Sequence, residues 1–228
     1  MNSSITLNEA LQQQKRINSL LKQYLVAGGA YSIPSEICFM EADQVIIAED
    51  TLLTDIYMIA SGVAVVMQDG IIIQFLGRNE CLGVENILVG GETRTRIVAL
   101  TKMKLYKMTL QDVHIKLHKR AQGWRLAAAV MAGRTELLTH HLIRSGVARD
   151  RVLDVLLQLS FLYGEEKDHC IYTEKYFSKK MIANYLNVSY VTVVKAFKLL
   201  VAEGIIHDEP HGMIVYLNQL SPKIGACS

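Results

Sequence analysis

Residues 178–206, SKKMIANYLNVSYVTVVKAFKLLVAEGII, constrain this chain more than any other stretch. Ser178 is a good helix N-cap, because its hydroxyl can accept from the free N–H groups of the first turn. Met181, Ile182, Tyr185 and Leu186 then recur at helical spacing, with Ala183 small enough for close approach of a second helix. Asn187 tolerates the left-handed conformation that ends a helix, and Val188 can plug the corner from inside. Ser189 caps a second helix whose predicted apolar row is Val193, Ala196, Phe197, Leu200 and Val201. Glu203-Gly204 stops it. Two short amphipathic helices joined this tightly must cross steeply, which leaves one face of the second free to enter a groove.

A pair of helices packed only for stability would also fit the periodicity, but two features argue for more. Between Lys175 and Lys198 the chain carries Lys175, Lys179, Lys180, Lys195 and Lys198 and no Asp or Glu. A basic surface without local acids suits a phosphate backbone. Behind the pair come Ile205–His207, a turn at Glu209-Pro210-His211-Gly212, and Met213–Leu217, which alternates as a strand does. That is the pattern of a β-hairpin wing.

The whole chain has 228 residues, half of them hydrophobic and a fifth charged, with a net charge of +2. It is long enough for two cored domains and too apolar for disorder, and the basic stretch is local. No apolar run approaches membrane-spanning length, and Gln12-Gln13-Gln14-Lys15-Arg16 stands where a signal peptide needs an apolar core. A cytoplasmic protein with no membrane partner is expected. Cys38, Cys81, Cys170 and Cys227 show no paired spacing, as expected of incidental thiols in a reducing compartment.

In chain order, residues 5–25 read as an amphipathic helix ended by Gly28-Gly29. From Ile33 to Met108 the texture is β-rich: 44–48, 55–60, 63–68, 71–76, 95–100 and 104–108 read as strands. Asp69-Gly70 is a strong type I′ hairpin signal, and Gly62 marks a bend. Many short strands at this spacing predict a jelly-roll-like barrel. A long helix is predicted from Leu117 to Ile143. Its row Leu117, Ala121, Trp124, Ala128, Met131, Thr135, Leu138, Leu142 alternates by four and three, the spacing of a dimer seam. A second row, Leu126, Val130, Leu137 and His141, points to the β-domain, with Gly123 and Gly133 on the flanks for close backbone approach. Ser145-Gly146 reads as a hinge, 148–163 as another amphipathic helix, Gly164–Asp168 as a solvated loop, and 221–228 as a tail.

Jelly rolls also host metal-dependent oxygenases, which need histidines on neighbouring strands with a carboxylate. The first histidine is His114, after the last predicted strand. His114, His118, His140 and His141 read as solvated helix residues, and neither a nucleophile–base signature nor a phosphate loop is present. No metal site and no enzyme are expected.

The order of parts, with IYMIASGVAVV around Gly62 and the ungapped run through Ile182, Asn187-Val188-Ser189, Thr192-Val193, Lys198 and Leu199-Leu200, resembles the Crp/Fnr family of transcription regulators. The resemblance covers nearly the whole chain. It implies an α+β architecture: a jelly-roll-like β-roll sensor of the cyclic-nucleotide-binding type with its N-terminal helix (1–116), a dimerisation helix and hinge (117–146), and a winged helix-turn-helix domain (147–228). It also implies a homodimer on a palindromic operator in double-stranded DNA, RNA polymerase as partner if the protein activates, and a small-molecule effector. By resemblance, Ser189 and Thr192 meet the DNA backbone, and Tyr190, Val191 and Lys195 stand where relatives read bases. Lys179 and Lys180 are the expected phosphate contacts. In the effector cassette, the candidate residues are Gly83, Glu85, Arg94 and Thr95: by resemblance Arg94 and Thr95 sit in the family's places, but Val84 stands where cyclic-AMP binders have the glutamate that takes the ribose hydroxyls, and Glu85 is one residue along, which in a strand-like segment points it to the other face. The cofactor is therefore unassigned, and cyclic AMP is not expected. The competing expectation is a sensor that regulates a protein partner through the same helices.

Overall fold

The computed structural model describes residues 3–26, 33–143 and 146–223. Gly28-Gly29, Ser145, residues 224–228 with Cys227, and the side chains of His140, Leu142 and Ile143 lie outside what is described. The chain divides into two compact units, Gln12–His141 and Leu142–Ser228 together with Met1–Leu11.

The first unit is built on strands β1 (Glu36–Met40), β2 (Val45–Ile47), β3 (Asp55–Ser61), β4 (Ala64–Gln68), β5 (Ile71–Leu76), β6 (Cys81–Leu82), β7 (Arg96–Ala99) and β8 (Met103–Thr109). They form two four-stranded sheets, ordered β1-β8-β3-β6 and β2-β7-β4-β5, and every pairing within them is antiparallel. Ile56, Met58, Ile59, Ala64, Leu76, Leu105 and Met108 fill the core. The β4–β5 turn has Asp69 at φ 51° and Gly70 at φ 77°, the two positive values a type I′ turn demands. Gly62 has φ 92°, and a Cβ there would lie 2.6 Å from the Lys102 carbonyl oxygen, so the bend admits only glycine. Strand β1 is absent from the predicted set. Its apolar residues Ile37 and Phe39 face outward at 49% and 64% exposure, so burial gives no alternation to read there.

Helix α1 (Ser3–Val26) buries Asn18 and Gln14 beside Leu21 and Leu25, whereas Leu20 is 41% exposed. A polar row thus takes part of the face assigned to leucines. Between β6 and β7 lies a short helix, α2 (Val84–Val89), that periodicity does not predict. The predicted single helix from Leu117 is two: α3 (Leu110–His118) and α4 (Ala121–Ile143), broken at Lys119-Arg120. Leu117 therefore leaves the predicted seam. It is fully buried in the β-roll core. Gly123 lets α4 begin close against α3, since a Cβ there would lie 3.0 Å from the Leu117 Cα and 2.9 Å from the Tyr24 ring. At Gly133 the close neighbour is the Gln14 amide, whose Oε1 would be 1.7 Å from a Cβ. The approach is by side chains of α1 more than by a backbone.

The second unit has α5 (Ala148–Tyr163), β9 (Glu165–Lys167), β10 (Cys170–Glu174), α6 (Lys179–Leu186), α7 (Tyr190–Ala202), β11 (Ile206–Asp208) and β12 (Gly212–Tyr216), then a 3₁₀ turn at Leu217–Lys223. Its sheet runs β11-β12-β10-β9. The stretch predicted as a solvated loop is a hairpin strand: Glu165–Lys167 pairs with Cys170–Tyr172 through a turn with Asp168 and His169 both at positive φ. All three β9 residues are exposed, so no apolar face marks the strand in the sequence. Buried Thr173 donates to Ser160 Oγ at 3.0 Å and ties this sheet to α5.

Candidate nucleic-acid interface and effector cassette

Both predicted caps of the helix pair form. Ser178 Oγ accepts from Met181 N at 3.2 Å, and Ser189 Oγ accepts from Thr192 N at 3.1 Å. Asn187 closes α6 in the left-handed region at φ 51°, ψ 50°. Chain direction turns through 113° from α6 to α7. The corner is held from outside the motif, because Arg151 of α5 donates to the Leu186 carbonyl at 2.8 Å and satisfies an orphan acceptor at the end of α6. Val193, Ala196, Phe197 and Leu200 are buried against this scaffold. Val201 departs from the row it was assigned to: it is 43% exposed.

What remains of α7 is an outward face. Tyr190 is 49% and Val191 58% exposed, and Lys195 is exposed beside them. Ser189 and Thr192 hydroxyls lie 2.8 Å apart, so both are held at the helix N-terminus, where the free N–H groups also point. Lys180 is exposed on the first turn of α6. Lys179 behaves differently. Its Nζ lies 2.5 Å from Asp208 Oδ2 on the wing and 4.6 Å above the Phe197 ring. The basic run without local acids is thus answered by an acid from β11. Lys179 thus links α6 to the wing, with both side chains of the pair still partly exposed.

In the sensor unit, Gly83 precedes α2 at φ 81°, and a Cβ there would lie 2.5 Å from Leu53 Cδ2. Val84 is fully buried and faces the core, whereas Glu85 points outward, its side chain half exposed. One residue's difference in register decides which side chain can meet a ligand. Glu85 Oε1 instead accepts from Arg134 Nη1 at 2.6 Å, and Arg134 Nη2 donates to the Cys81 carbonyl at 2.6 Å. Arg134 is 2% exposed, and its Nε has no partner. Burial disfavours its charge, but Glu85, and then Glu80 and Cys81, more than offset that and hold it cationic. The predicted inward row, Leu126, Val130, Leu137 and His141, does not include position 134, which the structure places between Val130 and Leu137 on that face. The only hint of an ion pair in the sequence was the charge itself. Arg94 is exposed and Thr95 half-buried, whereas neighbouring Thr93 is buried, donating to the Ala48 carbonyl at 2.6 Å.

A second polar link sits beside this one. Gln14 Nε2 donates to the Val130 carbonyl at 3.3 Å, and Asn18 Nδ2 to Glu80 Oε1 at 3.4 Å. The histidines predicted as solvated are partly packed. Trp124 stacks edge-on to His118 and His114, with centroids 5.0 and 5.7 Å away. Among the described residues no cluster of three or more His, Cys, Asp or Glu could hold a metal ion, and no single helix is long and apolar enough to cross a membrane. Cys38, Cys81 and Cys170 are free thiols. Burial pushes the Cys81 thiol up to about 12, so it is unreactive as it stands.

The inward face of α4 is Ala127, Val130, Arg134 and Leu137, all buried. Its other face shows Ala121, Ala128 and Thr135 exposed and Trp124, Met131 and Leu138 half-buried. Six of the eight predicted seam residues thus lie along one exposed to half-buried face, where Trp124 and Met131 also pack against the core of this unit.

Residues 38–119 match the cyclic nucleotide-binding domain family. No curated protein matches the chain. Among solved structures it is similar to FixK2 from Bradyrhizobium japonicum, at 20% identity over 82% of this chain and 95% of that one, with a TM-score of 0.71. A cyclic nucleotide-binding domain containing protein from Listeria monocytogenes is 17% identical over 90% and 98% of the two chains, with a TM-score of 0.66. The c-di-GMP responsive global regulator CLP of Xanthomonas campestris is 14% identical over 80% and 94%, with a TM-score of 0.59. With a two-sheet β-roll, a long helix and a capped, winged helix pair in that order, the chain has the fold of these solved structures, and its residues 38–119 carry a cyclic nucleotide-binding domain.

Proposed function

We propose that this protein is a sequence-specific DNA-binding transcription regulator that acts as a homodimer on a palindromic operator. The observation that carries this is the outward face of α7: Tyr190, Val191 and Lys195 are exposed on a helix capped by Ser189, next to α6, which Ser178 caps and Arg151 holds at its end. A rigid helix with an uncovered, partly apolar N-terminal face fits the major groove. Lys195 can donate to guanine O6/N7, and Val191 can pack on a thymine methyl. Ser189, Thr192 and the free N–H groups of the first turn suit phosphate oxygens. In a dimer two such helices lie about one helical turn apart on the DNA. RNA polymerase is the natural partner of an activating form.

Selection of bound sequences from random DNA, with and without cell extract, tests the proposal directly. An enriched palindrome is expected; an unenriched pool would overturn it. Lys195→Ala is expected to relax preference at one base pair per half-site by about 1–3 kcal/mol. Equal loss on every sequence would make Lys195 a phosphate contact instead. Lys180→Ala should weaken all sequences alike and lower the salt slope by about one. Lys179→Ala should change the slope less, because that charge already has Asp208 as a partner. A protein partner on the same face would show no counterion slope of this kind, which separates the second reading.

Cyclic AMP is not expected to bind tightly. Val84 is buried and has no acceptor for ribose hydroxyls, and Glu85 is engaged by Arg134. Calorimetry showing affinity of about 1 µM or better, some 8 kcal/mol, would overturn this.

A further inference from the structure

The second unit holds a cavity of about 380 Å³ between α5, the start of α6, α7 and the wing. Its floor is apolar: Leu156 and Leu159 of α5 and Phe197 of α7 line it, each at most 6% exposed. Lys175, Lys179 and Lys180 line it as well, and neither Lys175 nor Lys180 has a carboxylate partner among the described residues. Lys175 Nζ donates to the Glu209 carbonyl at 3.4 Å. Lys179 Nζ is paired with Asp208 and lies 4.6 Å above the Phe197 ring, so one ammonium already rests on the apolar floor. Of the two acids in the lining, Asp208 is taken by Lys179, and Glu174 accepts from the Tyr176 hydroxyl. An apolar cavity of this size with a few convergent polar groups is the form of a small-molecule site. Two cations without acids select for an anion. A phosphodiester satisfies only half of this lining, because pressing it onto leucines would strip its water without replacing the hydrogen bonds.

We propose that this cavity binds a small organic carboxylate, its ring or short chain on the apolar floor and its charge on Lys175 and Lys180, and that the bound acid excludes DNA. Lys180 and Tyr190 line the cavity and also belong to the face assigned above to DNA, so the exclusion rests on that reading. A carboxylate that engages Lys180 removes a phosphate contact. It also competes with Asp208 for Lys179, the link between α6 and β11. Control by the acid thus lies within the unit that meets DNA and needs no signal from the first unit.

The full chain should be titrated with 4-phenylbutyrate, with its neutral carboxamide and with inorganic phosphate, following the backbone N–H resonances. Binding to the selected operator is measured with each at constant ionic strength, because added salt alone weakens a DNA complex. The acid should give saturable shifts at Leu156, Leu159 and Phe177 with a Kd of about 1 mM or tighter, and should release the operator over the same concentration range. The carboxamide should bind about tenfold more weakly, since an ammonium gains more from a charged acceptor than from a neutral one. Met213→Trp, which fills the cavity from the wing, should abolish the shifts and make operator binding insensitive to the acid. If that variant does not fold, Lys175→Gln, a change at an exposed position, should weaken the acid by about threefold. No saturable shift with the acid, equal binding of acid and carboxamide, or phosphate shifting Leu156 and Leu159 in the same way would each overturn the proposal. So would operator affinity unmoved at saturating acid. If the chain selects no DNA sequence at all, the DNA-binding reading falls, and the shifts still decide whether the cavity takes the acid.

Discussion

Leu138→Glu is expected to leave the protein monomeric at micromolar concentration and to cost it operator affinity. Helix α4 is apolar on two sides. Ala127, Val130 and Leu137 are buried within the sensor unit, and Trp124, Met131 and Leu138 stay only half covered, with Ala121, Ala128 and Thr135 exposed between them. Thr135 returns its hydroxyl to the Met131 carbonyl at 3.0 Å, so that it offers a methyl to the outside. Alternating small and large residues at heptad spacing let a second helix approach closely and seat its own large residues in the gaps. At 23 residues the helix is about 34 Å long, enough for three such layers. In the proposed dimer a two-fold axis through the stripe would bring both copies of residue 138 into one apolar contact, so the variant would bury two carboxylates there. Each costs several kcal/mol if it stays charged. Analytical sedimentation would show the monomer. A variant that stays dimeric would place the interface elsewhere.

Glu85→Ala is expected to destabilise the sensor unit by about 3 kcal/mol, and Arg134→Met by clearly less. The order follows from unequal burial: the Arg134 side chain is 3% exposed and that of Glu85 50%. Removing the glutamate strands a cation in the core. Removing the arginine leaves a carboxylate that water can reach, and a methionine fills much of the same volume. Solvent at Glu85 screens part of the interaction, which puts the first figure at the low end of what breaking a buried pair costs. Trp124 is the single tryptophan and packs against the core of the first unit, so its fluorescence in denaturant reports on that unit and not on the second. A larger loss from Arg134→Met than from Glu85→Ala would show that the guanidinium serves packing or the Cys81 carbonyl more than the pair.

The caps at Ser178 and Ser189, the left-handed stop at Asn187 and the turn at Asp69-Gly70 were determined by the residues that make them. Each depends on the backbone preference of one residue or on a hydrogen bond spanning three positions, so neighbours in sequence are the whole cause. Val193, Ala196, Phe197 and Leu200 of α7, and Val130 and Leu137 of α4, were legible for a related reason, since periodicity records burial where apolar residues face a core, although Val201 is exposed and Leu126 and His141 are only half-buried. Tertiary structure decided the rest, always through partners that are distant along the chain. Arg134 and Glu85 are separated by 49 positions and Gln14 and Val130 by 116, and a buried polar residue is indistinguishable from a solvated one until its partner is placed. Asp208, 29 positions beyond Lys179, gives that expected phosphate contact a partner on the wing. Helix periodicity ran unbroken from Leu117 to Leu138, yet the chain breaks at Lys119-Arg120, where α4 starts against Tyr24 and the Leu117 backbone. Strand β9 has no buried face and exists because β10 offers it a hydrogen-bonding edge. A pattern along one chain records which residues avoid water; it does not record which charge or amide each buried polar group will meet, because that depends on how distant segments come together.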